Sequence, residues 1–347
     1  MKLAWKEITY YKVRYAFVFA IVFLLSFLVY MISGLASGLS FDNASVIKTL
    51  PVNGYYLSED SEDRLDRSLL TWDDFEKISQ NKDISKAYPI AFEMSSLQSI
   101  KDEKRLDAAM MSVDTALLKE LGFGQLKNDE VIIDESLAED GALKIGDKIK
   151  NRRDNKTYQI VGITSDKRYS HSPVVFKEIN KNEPIQSIAV SLKENTDGKN
   201  IGKISFLTEK DVLNGLPSYS SEQKSLYMMI GFLVVISAVV IGVFFYVFTL
   251  QKINQFGILK AIGMQSGELA STVLIQMLIV VVTAMASAFV IVSGISSVMP
   301  SAAPFLFEYK MALLFSAILL IMSVLSSLLS LYQVLKVDAL EAIGGTK

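Results

Sequence analysis

The chain contains one histidine, His171, and no cysteine. Without thiols it cannot form a disulfide framework, a thiolate nucleophile or a cysteine-based zinc or iron–sulfur site. A histidine-based catalytic pair could involve only His171, and the sequence has neither a Gly-x-Ser-x-Gly elbow nor a His-Glu-x-x-His zinc motif. We therefore predict no catalytic residues and no intrinsic metal. We interpret His171 first as an exposed loop residue and second as a ligand-binding one.

A phosphate-binding loop is also missing from the sequence. The nearest match to Gly-x-x-x-x-Gly-Lys-Ser/Thr is residues 141–148, where Asp147 occupies the position that requires a phosphate-binding lysine. We therefore expect that this chain is not an enzyme and does not hydrolyse ATP by itself.

The chain contains four long stretches without formal charge, and the helices they form must hold the candidate functional residues in place. An α-helix needs roughly 20 apolar residues to cross the hydrocarbon of a bilayer, and buried helices of soluble proteins are seldom free of charge over that length. Pro300 and Pro304 break the third stretch before its end. The sequence thus predicts an integral membrane protein with four spans, in the charge-free stretches 15–41, 227–251, 269–307 and 311–335.

The distribution of basic residues predicts the orientation of these spans. Lysine and arginine close to a span resist translocation, so the segments that carry them stay in the cytoplasm. Such residues lie before the first span, after the second and after the fourth, which places both termini in the cytoplasm. A signal peptide cleaved near the small residues 34–38 is the alternative, and the length of the apolar run disfavours it. The basic residues concerned are Lys2, Lys6, Lys12, Arg14, Lys252, Lys260, Lys336 and Lys347.

The segment 42–224, between the first and second spans, is predicted to be an extracytoplasmic α+β domain. It holds 26 basic and 32 acidic residues, and this mildly acidic balance does not indicate binding of nucleic acid. Thr71 is expected to cap a helix at 72–80, and a second helix is expected to begin near Thr208. Strands are predicted at 131–133, within 143–149, which contains a turn at 145–148, and at 158–163. A further apolar run is 188–192, and 204–207 leads into the helix near Thr208.

These observations divide the chain into nine segments. The predicted division is an N-terminal interfacial helix at 1–14, transmembrane helices at 15–41, 227–250, 271–298 and 311–335, an extracytoplasmic domain and stalk at 42–224, a cytoplasmic coupling loop at 251–268, an outer loop at 299–310 and a cytoplasmic tail at 336–347.

The loop after the second span carries a specific resemblance. Its sequence, QKINQFGILKAIGMQSGEL, is similar to the cytoplasmic loop of the FtsX-like, MacB-type permeases of ABC transporters. IGDKIK followed by YQIVGI resembles the outer core domain of that superfamily, and KVDALEAIGG resembles its C-terminal tail. The implied fold class is a membrane α-helical protein with four transmembrane helices and a large extracytoplasmic α+β domain inserted between the first and second spans.

Within that superfamily, five segments resemble haem-exporting permeases of Gram-positive bacteria: MKLAWKEITYYKVRY, ISGLASGL, YSHSPVV, FFYVFTLQKINQFGILKAIG and VDALEAIGG. The resemblance implies a permease that pairs with a second copy of itself and couples to a separate ABC ATPase subunit, which binds the ATP. It also implies that haem is extruded from the membrane lipid to relieve its toxicity. Haem would be a transported substrate and no cofactor is intrinsic, since the sequence lacks a Cys-x-x-Cys-His attachment motif.

Candidate haem-binding residues cluster at the expected outer membrane boundary. Histidine, methionine and tyrosine can all ligate haem iron. Met31 is the first candidate because the small residues at 33–38 could let two first spans approach or leave a cleft between them. Packing is the alternative role of each methionine, and interfacial anchoring that of each tyrosine. The full candidate set is Met31, Tyr30, Met228, Met229, Tyr219, Tyr227, Tyr169, His171 and Glu308.

The loop after the second span is the expected contact with the ATPase. It mixes apolar and basic side chains, a pattern that suits a short helix lying in a groove of a partner protein. The predicted coupling residues are Phe256, Gly257, Ile258, Leu259, Lys260, Ile262 and Gly263.

Two other functions remain open at this point. The same machine could export another amphipathic substrate, such as a peptide antibiotic or a lipid-linked molecule. A permease of this superfamily could also signal across the membrane to an outer hydrolase, as FtsX does.

Overall fold

The structure is a computed structural model that describes residues 2–101, 103–299 and 303–336. It forms two compact units, a helical unit of Met1–Gly38 with Lys224–Lys347 and an inserted unit of Leu39–Gln223. Residues 300–302 of the predicted outer loop and 337–347 of the predicted tail lie outside the described residues.

The helices and strands follow the chain in this order. The helices are α1 Lys2–Tyr10, α2 Lys12–Lys48, α3 Trp72–Ser79, α4 Thr115–Glu120, α5 Glu135–Gly141, α6 Glu209–Gly215, α7 Tyr219–Leu250, α8 Ile253–Ala261, α9 Ser266–Val298 and α10 Tyr309–Lys336. The strands are β1 Gly54–Ser58, β2 Ile84–Ser99, β3 Arg105–Val113, β4 Glu130–Asp134, β5 Lys148–Asn151, β6 Thr157–Thr164, β7 Arg168–Tyr169, β8 Ser172–Glu178, β9 Ser187–Leu192 and β10 Ile204–Leu207.

Within the described ranges, four helices, α2, α7, α9 and α10, are long and apolar enough to cross a membrane. Several extend past the predicted spans: α2 runs from Lys12 to Lys48 with a kink at Ala44, whose φ of −144° and ψ of 15° are not helical, and α7 begins at Tyr219. Charge limits the part of a helix that enters hydrocarbon, but it does not stop the backbone hydrogen bonding, so the helices continue through polar residues. Hydropathy therefore identified the four apolar helices and underestimated their lengths.

Apolar side chains of all four long helices pack into one core of the helical unit. On α9, Met277, Val281 and Ala284 are fully buried. They belong to a cluster that draws on α2, α7 and α10 as well, including Tyr15, Val22, Val29, Ile241, Phe245 and Leu319. The buried Ser237 and Ser323 donate their hydroxyls to the carbonyl one turn back, which satisfies both donors within their own helices.

The small residues at 33–38 have a different role from the one expected. Gly34 and Gly38 lie against Phe305 and Pro304 of the same chain, so closely that a Cβ at either glycine would overlap them. The amide of Leu306 also donates to the carbonyl of Gly34 at 3.0 Å. The expectation that these glycines serve the approach of two first spans is therefore wrong, because the loop before α10 already occupies that surface.

The inserted unit is built on one sheet with the strand order β10-β1-β9-β2-β3-β8-β4-β6-β5, and β7 pairs with β8. Strand β2 is long enough to pair with β9 along its first half and with both β3 and β5 at its end. Because β5 also pairs with β6, six strands close into a ring in the order β2-β3-β8-β4-β6-β5. Its interior is filled by apolar residues that include Leu97, Met110, Val131, Ile149, Ile160 and Val175.

Sequence patterns predicted parts of this unit well. Thr71 caps α3 in a capping box with Asp74, and Thr208 does the same for α6 with Asp211, so the helix starts are confirmed. The turn expected at 145–148 is present, with Gly146 at a φ of +98°, and the strand expected around it is shorter than 143–149 because β5 begins only at Lys148. The β2–β3 hairpin was not predicted, because neither strand shows a regular alternation of apolar and polar residues.

The loop packing against α2 gives a testable prediction about stability. Gly38→Ala forces a methyl group into the backbone of Pro304 and Phe305, and overpacking of this kind typically costs about 1–3 kcal/mol. We expect a lower midpoint of thermal unfolding for the detergent-purified protein. Gly231→Ala is the matched control, because nothing lies within 4 Å of a Cβ there. Equal midpoints for Gly38→Ala and the native protein would show that the loop does not pack on α2.

Candidate functional site

Tyr30 lies inside the helical unit between α2, α9 and α10. Its side chain is fully buried, and its hydroxyl is 2.6 Å from the hydroxyl of Ser316. The ring meets Phe289 and Phe307 edge to face, with centroids 6.1 and 6.3 Å away. It also lines a cavity of about 370 Å³ whose other walls are mostly apolar, including Met285. Tyr30 is therefore hydrogen-bonded within the bundle and does not face the surroundings of the protein.

Met31 is half-buried and packs on the apolar cluster that contains Tyr30 and Phe307. The three consecutive candidates on α7, Tyr227, Met228 and Met229, are all exposed. Successive residues on a helix point about 100° apart, so these three side chains cannot all face one ligand. Glu308 is exposed just before α10. The structure thus brings Tyr30 and Met31 together and displays the α7 methionines separately.

His171 occupies the tip of the β7–β8 hairpin in the inserted unit. Ser170 and His171 both have positive φ, +49° and +62°, as the two-residue turn between these strands requires. Residues with a Cβ rarely adopt this conformation, so neighbouring groups must hold it in place. One such contact is the amide of Ser170, which donates to the carbonyl of Asn43 at 2.7 Å.

Both imidazole nitrogens of His171 face polar partners from α2 and α7. Nδ1 is 2.8 Å from a carboxylate oxygen of Asp42, while Nε2 is 3.2 Å from the amide nitrogen of Asn43 and 3.4 Å from Glu222. Arg168 forms an ion pair with the other oxygen of Asp42. His171 is exposed at this turn, as expected for a loop histidine, and it also contacts the end of α2 and the first turn of α7.

The side-chain amide oxygen of Asn43 is a distinctive feature of this group. Asn43 is completely buried, and its Oδ1 has no hydrogen-bond partner among the described residues. Burying an acceptor without a partner is unfavourable, and an ordered water is the usual remedy. The carboxylates of this group do not form a metal site, since the described residues contain no cluster of three or more metal-binding side chains.

Tyr219 and Tyr169 have structural partners of their own. The Tyr219 hydroxyl is 2.9 Å from that of Ser40, and the Lys48 ammonium lies 5.5 Å from the Tyr219 ring centroid. Tyr169 is buried and stacks on Phe92, with ring centroids 4.5 Å apart. Burial raises the pKa of Tyr169, so its phenol remains protonated and is a poor iron ligand.

Sequence reasoning missed most of the residues that surround His171. The missed residues are Ser40, Asp42, Asn43, Lys48, Arg168 and Glu222. A signal was available, because Asp42 directly follows the first charge-free stretch and Glu222 closely precedes the second.

Helix α8 shows how the predicted coupling residues are arranged. Phe256 and Gly257 are buried, and Leu259 packs with Phe256 against Leu269 of α9. Ile258 and Ile262 are exposed at 55% and 76%. Residues four apart share one face of a helix, so these two isoleucines form an exposed apolar pair. Gly263 then ends the segment with a φ of +101°, a conformation that glycine adopts without strain.

Two protein families match the chain. The MacB-like periplasmic core domain matches residues 16–202, and the FtsX-like permease C-terminal domain matches residues 227–339. The first covers α2 and most of the inserted unit, and the second begins within α7.

Two relatives align with this chain along nearly their whole length, across both matched regions. The "Putative hemin transport system permease protein HrtB" of Staphylococcus haemolyticus (strain JCSC1435) is 35% identical over 358 residues, which cover 99% of each chain. The protein of the same name from Staphylococcus epidermidis (strain ATCC 12228 / FDA PCI 1200) is 31% identical with the same coverage. The crystal structure of the periplasmic region of MacB from Actinobacillus actinomycetemcomitans is 14% identical, covering 47% of this chain and 91% of that one with a TM-score of 0.37.

The described residues contain four apolar helices, with a large α/β unit between the first and second. The two family matches together span nearly the whole sequence and lead to the same assignment. The chain belongs to the FtsX-like, MacB-type permeases of ABC transporters, a membrane subunit that implies a partner ATPase.

Proposed function

We propose that this chain is the permease subunit of an ABC exporter that extrudes haem from the membrane. The observation that carries the proposal is its 31–35% identity, over 99% of the chain, to relatives named as hemin transport permeases. A separate HrtA-like ATPase supplies the ATP hydrolysis. The permease itself is non-catalytic, holds no intrinsic cofactor and takes haem as its transported substrate.

In this proposal both termini and α8 are cytoplasmic and the inserted unit is extracytoplasmic. The basic residues support this orientation, because Lys6, Lys12 and Arg14 precede the first span while Lys252 and Lys260 follow the second. Placing α8 in the cytoplasm makes it accessible to an ATPase.

The ATPase contact is assigned to the exposed pair Ile258 and Ile262. The opposite side of α8 is fixed, since Phe256 and Leu259 pack against α9. A rigid helix that presents a small apolar surface is suited to insertion into a groove of a partner. Closure of the two ATPase subunits then pushes on α8, and this push is the proposed mechanical input.

Export follows from a change between two conformations of a pair of permeases. We place haem at the outer-leaflet boundary between two copies of this chain, near Met31 and the exposed Met228 and Met229 of α7. Movement of α8 passes along α7 and narrows this cleft, which expels haem. Nucleotide binding need favour one conformation by only a few kcal/mol for a useful shift of population.

The central test compares haem handling with and without the two genes. Deleting this gene or that of its ATPase partner should raise cellular haem and reduce growth on haem, and restoring both should reverse the defect. Titration of the purified protein with haem should give a Soret band characteristic of bound haem. Unaltered haem tolerance together with no spectral binding would reject haem and favour another amphipathic substrate or transmembrane signalling.

The exposed face of α8 gives a prediction about the ATPase contact. Ile258→Glu places a charge in the proposed apolar interface and should weaken binding of the ATPase by about 2 kcal/mol or more, as loss of an interface anchor does. Co-purification and haem resistance would both fall, whereas haem binding should persist. Ile258→Val is the control, because it keeps the apolar surface. Leu259 is a poorer probe, since its packing on α9 would confound any change. Normal co-purification with Ile258→Glu would place the contact elsewhere.

The haem ligand gives a spectroscopic prediction. A thioether binds iron through one soft sulfur, so Met31→Ala should shift the Soret band of bound haem and lower haem resistance. Met31→Leu preserves packing in the bundle and should reproduce the spectral shift. His171→Ala is the comparison for the inserted unit. A spectrum that is lost only in His171→Ala, with Met31→Ala unchanged, would move the site away from Met31.

A further inference from the structure

A buried lysine lies at the base of α8. Lys252 stands between the end of α7 and the start of α8, and it is only 3% exposed. A lysine is almost never buried to this degree without a partner, because removing its charge from water is strongly unfavourable. The groups around Lys252 must therefore compensate for its burial.

Those groups come from three other helices of the helical unit. The Lys252 ammonium donates to the carboxylate of Glu7 on α1 at 2.6 Å and to the hydroxyl of Tyr15 on α2 at 3.2 Å. Gln276 on α9 closes the network. Its amide nitrogen donates to Glu7 at 2.5 Å, and its amide oxygen accepts from the Tyr15 hydroxyl at 2.6 Å. Lys252, Glu7, Tyr15 and Gln276 therefore each form a hydrogen bond with another member of this group.

Aromatic rings and a second hydrogen bond strengthen the connection to α1. The Lys252 ammonium lies 5.6 to 5.7 Å from the ring centroids of Tyr11, Tyr15 and Phe248, which is within the range of cation–π attraction. From α8 itself, the side-chain amide of Gln255 donates to the Tyr11 hydroxyl at 3.1 Å. Lys252, just before α8, and Gln255, in its first turn, therefore connect α8 to the junction of α1 and α2.

The buried Lys252–Glu7 pair is better explained as fixing the arrangement of the helices than as raising the stability of the fold. Replacing a buried ion pair by apolar residues often leaves a protein as stable as before, whereas the pair does define a single arrangement of its elements. Here the arrangement joins the helix assigned to the ATPase contact to α1, to the start of α2 and to α9. We infer that the Lys252–Glu7 pair locks α8 to these three helices, so that a push on α8 moves them as one body. This inference rests on the proposed function of α8.

The position of α1 relative to α8 can be measured directly, because the chain has no cysteine. Spin labels on Thr9→Cys and Asn254→Cys, both exposed positions, should give one narrow distance distribution in the full-length protein in nanodiscs. Lys252→Met or Glu7→Gln should broaden it. Lys6→Met is the matched control, since it removes an exposed cation from α1 and should leave the distribution narrow. A narrow distribution in Lys252→Met would overturn the inference.

A second readout separates positioning from mere folding. In the permease–ATPase complex, Lys252→Met should lower the haem exported per ATP hydrolysed by about fivefold or more, a typical size for a coupling effect. ATPase co-purification should persist, because Ile258 and Ile262 are untouched. Lys252→Arg keeps the cation and should recover most of the coupling. An unchanged ratio of export to hydrolysis in Lys252→Met would contradict the inference.

Two further outcomes are informative. If a single variant fails to reach the membrane, Glu7→Gln combined with Lys252→Met removes both buried charges and is measured instead. The double variant should fold and show a broad distance distribution, and a narrow one would overturn the inference. If the native complex exports no haem, the proposed function fails, but the spin-label distances still decide whether the pair fixes α1 to α8.

Discussion

The exclusion of charge from hydrocarbon governs how this chain is arranged. A span of roughly 20 residues cannot carry an unpaired charge into a bilayer without a large penalty, and irregular backbone is excluded for the same reason. Each of the four long helices contains an apolar stretch that meets this limit, and Ser237 of α7 and Ser323 of α10 donate their hydroxyls to carbonyls of their own helix. Charged side chains therefore lie at or beyond the ends of the charge-free stretches.

Two polar groups occupy those ends, and each is built differently. Glu7, Tyr15, Lys252 and Gln276 form a closed network in which every member bonds to another. The group around His171 is less complete, since the amide oxygen of the buried Asn43 finds no hydrogen-bond partner in the described part of the chain. A satisfied network fixes one arrangement, whereas an incomplete one leaves capacity for water or rearrangement. This contrast agrees with a stiff helix at the proposed ATPase contact and with an adaptable group around His171.

The inserted unit connects its own elements through one long strand. Strand β2 pairs with β9, β3 and β5, so a single element takes part in both the open and the closed portions of the sheet. The β7–β8 hairpin extends from this framework and carries His171 to Asp42 and Glu222. The sheet thereby holds a strained turn against the end of α2 and the first turn of α7.

The sequence by itself determined the class of protein, because hydropathy, basic residues and caps act over short stretches. The four spans, the caps Thr71 and Thr208 and the resemblance of residues 251–269 to MacB-type permeases all follow from local pattern. Only the tertiary structure showed that Pro304 and Phe305 cover Gly34 and Gly38, that β2 closes a ring, and that Glu7 meets Lys252. Those contacts join residues far apart in the chain, and no local pattern encodes which distant partner a buried charge, a glycine or a strand edge will find.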